Sequence, residues 1–458
     1  MALAQRDRAL CTDLYELTMA AAYFELGLTE RAAFELTVRS LPKGRSFLLC
    51  AGLEQAVSYL QNLRFTGEQI GSLRAMPVFR GIGEDFFAYL RDFSFTGSLT
   101  AIAEGTPAFA GEPLLRVEAP IIEAQVAETF LLSMVNYQTL VATKAARVVQ
   151  AACMDGKERS VVDFGTRRAH GPDAAILAAR AAFIGGCAGT SNVEAGLRMS
   201  IPVSGTEAHS FIMAFDSEEQ AFRGYYRCFG NQAILLTDTY DVLEGTRKAI
   251  RAAPGMRGVR IDSGDIADLS KRVRRLLREA GRQDALIVAS GDLDEHAIAK
   301  LVASGAEVDG FGVGTKLVTS EDAPNLSGVY KLVAVEKGGR WKPRLKLSAD
   351  KETYPGMKAV WRFSDPRTGG FTHDVIAAQE EPCPAEAQSL LELVMDSGKL
   401  VADLPSLAEI QSRARRELAR LPARHRRLEE PEPYPVSVSR SLQEAFNSLS
   451  QRVERGTP

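Results

Sequence analysis

The sequence predicts a mixed α/β protein, in which a barrel of parallel strands and helices is flanked by an α+β domain. After Arg159 come seven short apolar runs, most of which end in glycine or an acidic residue and lead into a helical pattern. Such alternation is typical of consecutive parallel βαβ units and favours a barrel over an open sheet. Antiparallel-type segments with two-residue periodicity lie on both sides of that region. The 458 residues also exceed one ordinary domain.

Composition excludes several classes of protein. The formal net charge of −3 gives no reason to expect a nucleic-acid or membrane surface as the main partner. The six cysteines contain no CxxC pair, which argues against a zinc site or a disulfide framework. Residues 1–10 carry Arg6, Asp7 and Arg8 and lack an apolar core, so we expect no secretory signal, and no apolar run approaches membrane length. We expect a cytoplasmic protein.

The N-terminal third mixes helical and alternating patterns. Residues 12–24 predict a helix with Thr12 as its N-cap, and residues 108–118 predict a hairpin with a Gly-Glu-Pro turn. Residues 121–152 have helical spacing without proline, which predicts a long helix between domains. Further strands are predicted at 33–39 and 98–102, and further helices at 52–63 and 85–90.

The central region supplies the predicted parallel strands. The seven runs are 161–165, 186–191, 201–205, 233–238, 259–264, 285–291 and 308–314. Barrel enzymes keep their chemistry at the carboxyl ends of such strands. The residues found there are Asp163, Arg167, Ser191, Asn192, His209, Asp238, Asp262, Asp265 and Gly291.

His209 follows the third run and a glycine, which predicts a position in the first turn of a helix over 208–222. A histidine there can also simply cap or pack the helix start. Asp238, Asp262 and Asp265 are hard oxygen ligands suited to Mg²⁺ or to sugar hydroxyls, although each could instead cap the helix after its strand.

Glycine-bearing strand ends at 290–292 and 310–316 suit a phosphate bound on backbone N–H groups. Neither a P-loop nor a complete GxGxxG motif is present, which disfavours those nucleotide sites. Arg167 and Arg168 add cations that can grip phosphate or carboxylate. Together these features suggest an enzyme of phosphorylated sugars.

Beyond Gly328, strands are predicted around 329–335, 341–347, 358–363 and 372–376, and the remaining C-terminal part is predicted to be mostly helical. Seven arginines between residues 413 and 427 could form a nucleic-acid patch, but interspersed glutamates favour a solvated helix face or a subunit contact. The arginines are Arg413, Arg415, Arg416, Arg420, Arg424, Arg426 and Arg427.

Several ordered motifs closely resemble the nicotinate phosphoribosyltransferase family. The resemblance runs from about Thr12 to Arg362, and no motif is matched after Glu381. The matching stretches are 12–18 (TDLYELT), 163–171 (DFGTRRAHG), 205–211 (GTEAHSF), 237–241 (TDTYD), 260–265 (RIDSGD), 310–315 (GFGVGT) and 346–358 (KLSADKETYPGMK).

The resemblance implies an irregular seven-stranded barrel (125–328) and a flanking open-faced α+β sandwich built from 1–124 and 329–458. It implies transfer of phosphoribose from phosphoribosyl pyrophosphate to nicotinate, with Mg²⁺, with ATP as co-substrate, and in a homodimer that shares its active sites.

The resemblance also implies residue roles. Phe164 and Tyr15 of a second subunit would sandwich the pyridine ring, and His209 would be phosphorylated. Asp238 and Asp262 would hold ribose or metal. The other expected substrate-binding residues are Arg167, Arg168, Thr206, Ser191, Arg260, Gly264, Gly291, Gly312, Gly314 and Thr315.

Three rival functions remain open. A nicotinamide-specific relative would have an aspartate near the amide, whereas residues 189–193 contain no carboxylate. A phosphosugar aldolase or isomerase would need a Schiff-base lysine or an acid/base pair, and Lys316 is the only lysine at a predicted strand end. A nucleic-acid-binding protein would depend on the C-terminal arginines.

Overall fold

The computed structural model describes residues 8–347 and 353–454, which form two compact units. The first unit contains the residues up to Leu140 and from Asn325 onward, and the second runs from Val141 to Pro324. The sequence analysis instead expects the domain boundaries after residues 124 and 328. Residues 348–352 of the 346–358 motif, and residues 1–7, where no secretory signal is expected, lie outside the described part of the chain.

The N-terminal segment of the first unit mixes helices and strands, as the sequence predicts. The predicted helix over 121–152 is interrupted at Ala127, and the boundary after Leu140 falls within its longer part. The elements are α1 (Leu14–Glu25), β1 (Arg31–Val38), β2 (Leu48–Leu49), α2 (Leu53–Asn62), α3 (Gly67–Ala75), α4 (Glu84–Arg91), β3 (Ser98–Ile102), β4 (Pro107–Ala108), β5 (Pro113–Pro120), α5 (Ile121–Val126) and α6 (Glu128–Ala152).

The second unit alternates strands and helices. Its elements are β6 (Ser160–Asp163), α7 (Pro172–Ile184), β7 (Gly189–Thr190), α8 (Val193–Met199), α9 (His209–Met213), α10 (Glu218–Phe229), β8 (Ile234–Leu236), α11 (Val242–Ala252), β9 (Gly258–Ile261), α12 (Ile266–Glu279), β10 (Leu286–Ala289), α13 (Glu295–Ala303), β11 (Gly310–Val313) and α14 (Thr315–Val318). The strands pair in parallel in the order β7-β6-β11-β10-β9-β8. The mixed α/β class is therefore confirmed.

The parallel strands of the second unit carry its core. Val161, Leu235, Val259, Ile287 and Phe311 are buried at their centres. Strands between helices are covered on both faces, which is why these segments read as nearly continuous apolar runs.

The first unit resumes after Asn325 with mostly antiparallel strands. They are β12 (Gly328–Lys337), β13 (Arg340–Pro343), β14 (Lys358–Ser364), β15 (Phe371–Ala378), β16 (Ala387–Ser389), β17 (Leu391–Asp396), β18 (Lys399–Leu400) and β19 (Val436–Val438), with helices α15 (Leu407–Arg420) and α16 (Arg440–Glu454). Among the described residues the sheet orders are β13-β12-β1-β5-β3-β17-β18, β16-β14-β15-β19 and β2-β4. Short 3₁₀ turns occur at Pro77–Phe79, Thr166–Arg168, Gly230–Gln232 and Ala423–Arg426.

The hairpin predicted over 108–118 is wrong. The chain does turn there, because Gly111 has a φ of 86° and the buried Glu112 carboxylate accepts a hydrogen bond from the Phe109 N–H at 2.9 Å. The two arms then join different sheets: β4 pairs with β2, whereas β5 pairs with β1 and β3. Local turn chemistry does not specify which strands pair across the chain.

Two helix predictions also need correction. Asp13, rather than Thr12, occupies the N-cap of α1, and the Thr12 hydroxyl donates to the buried Glu16 carboxylate. The helix predicted over 208–222 is two helices, α9 and α10, because Ser217 starts a new helix by accepting the Gln220 N–H at 3.3 Å.

The C-terminal part contains more strand than the sequence predicts. Strand β17 pairs antiparallel with β3, and β16 pairs with β14. Of the seven clustered arginines, Arg415, Arg416, Arg424 and Arg427 are exposed, as a solvated face requires, and others bind the protein itself. Arg413 donates to the Glu104 carbonyl at 3.0 Å, and Arg420 donates to the Gly369 carbonyl at 2.9 Å. These contacts favour a structural role for both guanidinium groups.

Candidate active site

The parallel strands of the second unit bring the predicted polar residues to one edge of a sheet. Val313 pairs with Asp163, Leu236 with Arg260, and Ala289 with Ile261. Because these strands run in the same direction, the residues that follow them meet at their carboxyl ends. That edge is the candidate active site.

Asp238 and Asp262 follow adjacent strands and contact one another. One Asp238 carboxylate oxygen, Oδ2, accepts the Asp262 N–H at 3.2 Å and the Ser263 hydroxyl at 2.6 Å. The other, Oδ1, is buried without a hydrogen-bond partner among the described residues. An unpaired buried acceptor is costly, and its place is an open position for a ligand hydroxyl or cation.

The Asp262 carboxylate is held from two sides. Its Oδ1 accepts the Ser290 hydroxyl and lies 3.7 Å from a guanidinium nitrogen of Arg260. Its Oδ2 lies 4.0 Å from the Nε2 of His209. The Asp262 side chain keeps 32% of its surface exposed, so a solute can reach it.

His209 begins α9, as predicted, and its side chain is 42% exposed. Its Nδ1 lies 3.1 Å from the Thr239 hydroxyl. The strand-end carboxylate of Asp262 lies beside the ring, while the Glu207 carboxylate points elsewhere and accepts the Leu236 N–H at 2.7 Å. The imidazole is therefore held on one nitrogen and open near the other.

Arg260 joins the segment before His209 to the strand ends. Its guanidinium donates to the Thr206 hydroxyl at 2.5 Å and to the Glu207 carbonyl at 3.4 Å. Its Nε is buried with no hydrogen-bond partner within the described part of the chain. Thr206 and Arg260, both predicted substrate contacts, thus lie against each other.

Asp163 and Asn192 support the backbone. The Asp163 carboxylate accepts the Gly165 N–H at 2.8 Å and the Thr190 hydroxyl at 2.7 Å. Burial raises the pKa of the Asp163 carboxyl despite these bonds. The Asn192 side chain caps α8 through the Ala195 N–H. Both polar groups are engaged within the protein.

The capping alternative accounts for Asp265. Its side chain accepts the Asp268 N–H at the start of α12.

The Ser191 N–H donates to the Asp163 carbonyl, which places Ser191 beside the end of β6.

Glycines permit close backbone approach at three strand ends. Gly291 has a φ of 92°, and a Cβ there would lie 2.2 Å from the Asp262 carbonyl oxygen. A Cβ at Gly312 would lie 2.4 Å from the Phe164 ring, and one at Gly314 would lie 3.3 Å from the Phe164 carbonyl oxygen. A side chain at Gly291 would displace the backbone at Asp262, and one at Gly312 would displace the Phe164 ring.

Gly264 follows β9, and Thr315 follows β11. Gly264 has a φ of 84°, and Thr315 starts α14.

Lys316 pairs with Asp294 at 3.2 Å. Burial opposes the charge on Lys316, but the hydrogen bond and charge of Asp294 outweigh it and raise the lysine pKa. A protonated, paired lysine is a poor Schiff-base nucleophile, which disfavours the aldolase alternative.

Arg167 and Arg168 lie in an exposed 3₁₀ turn directly after Phe164 and Gly165. Both side chains are exposed, so both guanidinium groups can meet an anionic solute. Tyr15 belongs to the first unit, where the residue is 45% exposed. Partial burial and the nearby Glu128 carboxylate raise the pKa of its hydroxyl.

Three site residues were not singled out from the sequence. Thr239, Ser263 and Ser290 each hydrogen-bond a predicted site residue. All three lie inside strand-end stretches noted above, but no periodicity distinguishes a hydroxyl that bonds a neighbouring strand from one that faces water.

The chain matches known proteins over nearly its full length. Residues 10–136, 159–368 and 383–446 match the nicotinate phosphoribosyltransferase N-terminal domain, the nicotinate phosphoribosyltransferase (NAPRTase) family and its C-terminal domain. Nicotinate phosphoribosyltransferase pncB2 of Mycobacterium tuberculosis is 43% identical, with 96% of this chain and 93% of the relative covered. The chain belongs to the nicotinate phosphoribosyltransferase family. The family resemblance and the expectation of an enzyme are confirmed.

Other members of the family agree. Nicotinate phosphoribosyltransferase of Bacillus subtilis is 42% identical, covering 97% of this chain and 95% of its own. The crystal structure of human nicotinic acid phosphoribosyltransferase superimposes with a TM-score of 0.85 at 33% identity, covering 96% of this chain and 99% of the human one. The family match also extends to residues 383–446, where sequence motifs identified nothing.

No helix within residues 8–347 and 353–454 is long and apolar enough to span a membrane.

Proposed function

We propose that the chain is a nicotinate phosphoribosyltransferase, which converts nicotinate and phosphoribosyl pyrophosphate to nicotinate mononucleotide and pyrophosphate in NAD biosynthesis. The observation that carries this proposal is the pairing of Asp238 with Asp262. It leaves one buried oxygen of Asp238 open at a sheet edge, where the other member of the pair, Asp262, lies beside His209. The relatives that share the fold over nearly the whole chain are named for this activity.

The finer fold proposed for the second unit is a closed, irregular seven-stranded barrel. An isolated parallel bridge joins Thr190 to Val203, which adds a seventh extended segment beyond β7. In chain order the seven segments are β6, β7, the Val203 segment, β8, β9, β10 and β11, and β11 pairs back with β6. Each segment pairs with the next one, except that the Val203 segment and β8 stand at opposite ends of the paired series. A cyclic order of this kind is what a barrel requires. We propose that the first unit forms the flanking open-faced sandwich.

The reaction needs charge stabilisation more than proton transfer. The bond from ribose C1 to the pyrophosphate oxygen breaks, and the pyridine nitrogen donates its lone pair to C1. That nitrogen carries no proton, so no general base is required. Asp238 Oδ1 is suited to accept a ribose hydroxyl, and the nearby carboxylates stabilise positive charge that develops on the sugar.

Mg²⁺ fits this edge as a companion of the pyrophosphate. The described residues contain no cluster of three metal-ligating side chains, but Mg²⁺ is commonly held by one or two carboxylates together with substrate phosphates. Asp238 and Asp262 would hold it, and their open oxygens are hard ligands. When bound, the ion would neutralise charge on the departing pyrophosphate.

The remaining substrate groups are assigned to neighbouring strand ends. Backbone at Gly291, Gly312 and Gly314, with Gly264 and Thr315 nearby, would cradle the 5′-phosphate. Phe164 would stack on the pyridine ring, opposite Tyr15 of a second copy of the chain in a homodimer. The exposed guanidinium groups of Arg167 and Arg168 would attract the nicotinate carboxylate.

We propose that nicotinate is preferred over nicotinamide. The Asp163 carboxylate contacts the 189–193 stretch through Thr190, and both of its oxygens already accept protein hydrogen bonds. It is therefore engaged within the protein and poorly placed to select an amide. Initial rates with each base at equal concentration, with phosphoribosyl pyrophosphate and Mg²⁺, test this preference. Faster turnover of nicotinamide would establish the rival function.

We also propose that His209 accepts a phosphoryl group from ATP and couples ATP hydrolysis to transfer. Neutral imidazole is nucleophilic, and the ring is partly exposed with only one nitrogen near a hydroxyl. His209→Asn is expected to abolish ATP stimulation and retain some ATP-independent transfer. His373→Asn, in the four-stranded sheet of the first unit, is the matched control. A folded His209→Asn protein that still responds to ATP would refute the coupling.

A further inference from the structure

The segment before His209 lies between two strands that do not pair with each other. Val203 makes one parallel bridge to Thr190, and Pro202 has no N–H to extend that pairing. On the far side, β8 ends the series of paired strands. Leu236 of β8 is fully buried, so its N–H needs an acceptor that no neighbouring backbone supplies.

Glu207 supplies that acceptor with its side chain. Its Oε1 accepts the Leu236 N–H at 2.7 Å, and the residue is only 6% exposed. On the neighbouring strand, Arg260 donates to the Thr206 hydroxyl and to the Glu207 carbonyl. Residues 206 and 207, three and two positions before His209, are thereby tied to β9 and β8.

We propose that Glu207 is a positioning residue, whose carboxylate replaces the missing backbone acceptor beside β8 and so fixes His209 where it can receive a phosphoryl group. The inference deepens the proposed function and rests on it for the role of His209. It assigns Glu207 to holding the histidine through the chain, with no contact to the reacting atoms.

The surroundings of His209 show why such a support is needed. Helix α9 has five residues and no side-chain N-cap, so it does little to orient its own first residue. The ring has one contact at 3.1 Å, to Thr239, and its other nitrogen is 4.0 Å from Asp262. Small displacements of a reacting group carry large rate penalties, so the preceding segment decides the geometry.

Burial of the Glu207 carboxylate is energetically unfavourable. Its second oxygen, Oε2, is buried with no hydrogen-bond partner among the described residues. Burial raises the pKa of this carboxyl, although the Leu236 N–H and Arg260 oppose the rise. The substitution Glu207→Gln introduces a neutral amide of the same shape, whose oxygen can still accept the Leu236 N–H. This is the one hydrogen bond that the proposal requires.

Three variants test the proposal in the full-length protein. Glu207→Gln keeps the acceptor for Leu236, and Glu207→Met removes it. Glu104→Met is the matched control, because Glu104 is a buried glutamate of the first unit that accepts the Gly52 N–H at 2.6 Å. The rate of acid-labile phosphate formation with ATP and Mg²⁺ is measured per folded molecule, and the histidine ring signals are followed by NMR. The His209 signal is assigned from the spectrum of His209→Asn.

Glu207→Met is expected to slow phosphate incorporation roughly 10- to 100-fold and to shift the His209 signals. Glu207→Gln is expected to restore both to near wild-type values, and Glu104→Met to change neither. Incorporation at the wild-type rate in Glu207→Met, or equal damage from Gln and Met, would overturn the inference. If Glu207→Met fails to fold, Glu207→Asp, one methylene too short to reach Leu236, replaces it.

The test also separates this inference from the function on which it rests. Absence of acid-labile phosphate in the wild type would refute the phosphohistidine. The NMR comparison would still decide the structural part, because unchanged His209 signals in Glu207→Met would show that Glu207 does not position the ring.

Discussion

The two oxygens of Asp238 have different surroundings, and the substitution Asp238→Asn separates their contributions. Oδ2 accepts two protein hydrogen bonds, and Oδ1 is buried and open. The donors at Asp262 and Ser263 require an acceptor, so the amide oxygen of the substituted side chain would face them and its NH₂ group would fill the open position. An amide nitrogen can neither ligate a cation nor stabilise positive charge.

The expected effects follow from these contacts. Stability should change by less than about 1 kcal/mol, because both hydrogen bonds to Oδ2 are retained. Activity should fall by about 10²- to 10³-fold in kcat/KM, the loss typical for one electrostatic contact made in the transition state. Asp238→Ala is the contrasting variant, because it also removes the acceptor for both donors and should cost about 1–3 kcal/mol more in stability.

The assay measures nicotinate mononucleotide formation at saturating and limiting phosphoribosyl pyrophosphate, alongside urea unfolding of each variant. A kcat/KM within a factor of three of wild type for folded Asp238→Asn would refute the assignment of Oδ1 to ligand binding. Equal loss of stability in the Asn and Ala variants would show that the two hydrogen bonds to Oδ2 are not retained by the amide.

Three further predictions concern assembly and stability. Mixing Tyr15→Ala chains with Asp262→Ala chains should restore roughly a quarter of wild-type activity if dimers share sites, since half of randomly paired dimers hold one intact site; no recovery would contradict sharing. Lys144→Met should lower the unfolding free energy in urea by about 3 kcal/mol, because Glu295 is fully buried against Lys144 at 2.5 Å; an unchanged midpoint would contradict this. Burial raises the pKa of Glu295, but Lys144 and Arg147 outweigh burial and lower it. The stabilisation by the ionised Glu295 carboxylate is therefore present at neutral pH and should be lost as the pH falls below the usual glutamate range. Melting temperatures of wild type and Glu295→Gln should converge at such low pH.

The amino-acid sequence alone predicted six of the parallel strands and the residues at their ends, whereas the strand predicted over 201–205 is only a single bridge at Val203. Apolar runs of strand length that end in glycine or aspartate are local patterns, and a side chain at a strand end needs no knowledge of distant partners to be located. For that reason His209, Asp238 and Asp262 were placed correctly at the edge, and the ordered motifs identified the family. The cap at Asp265 is local in the same sense, since its partner is three residues away.

Only the tertiary structure decided which partner each side chain has. Glu207 bonds an N–H 29 residues further along the chain, and the Asp262 carboxylate accepts the hydroxyl of Ser290, which follows β10. The separation of β4 from β5 into different sheets, and the pairing of β17 with β3, depend on equally distant segments. Periodicity in a sequence specifies the type of an element, whereas long-range pairing depends on how all the elements bury their apolar faces together. The different surroundings of the two oxygens of Asp238, one bonded to the protein and one open, are therefore defined only in the folded chain.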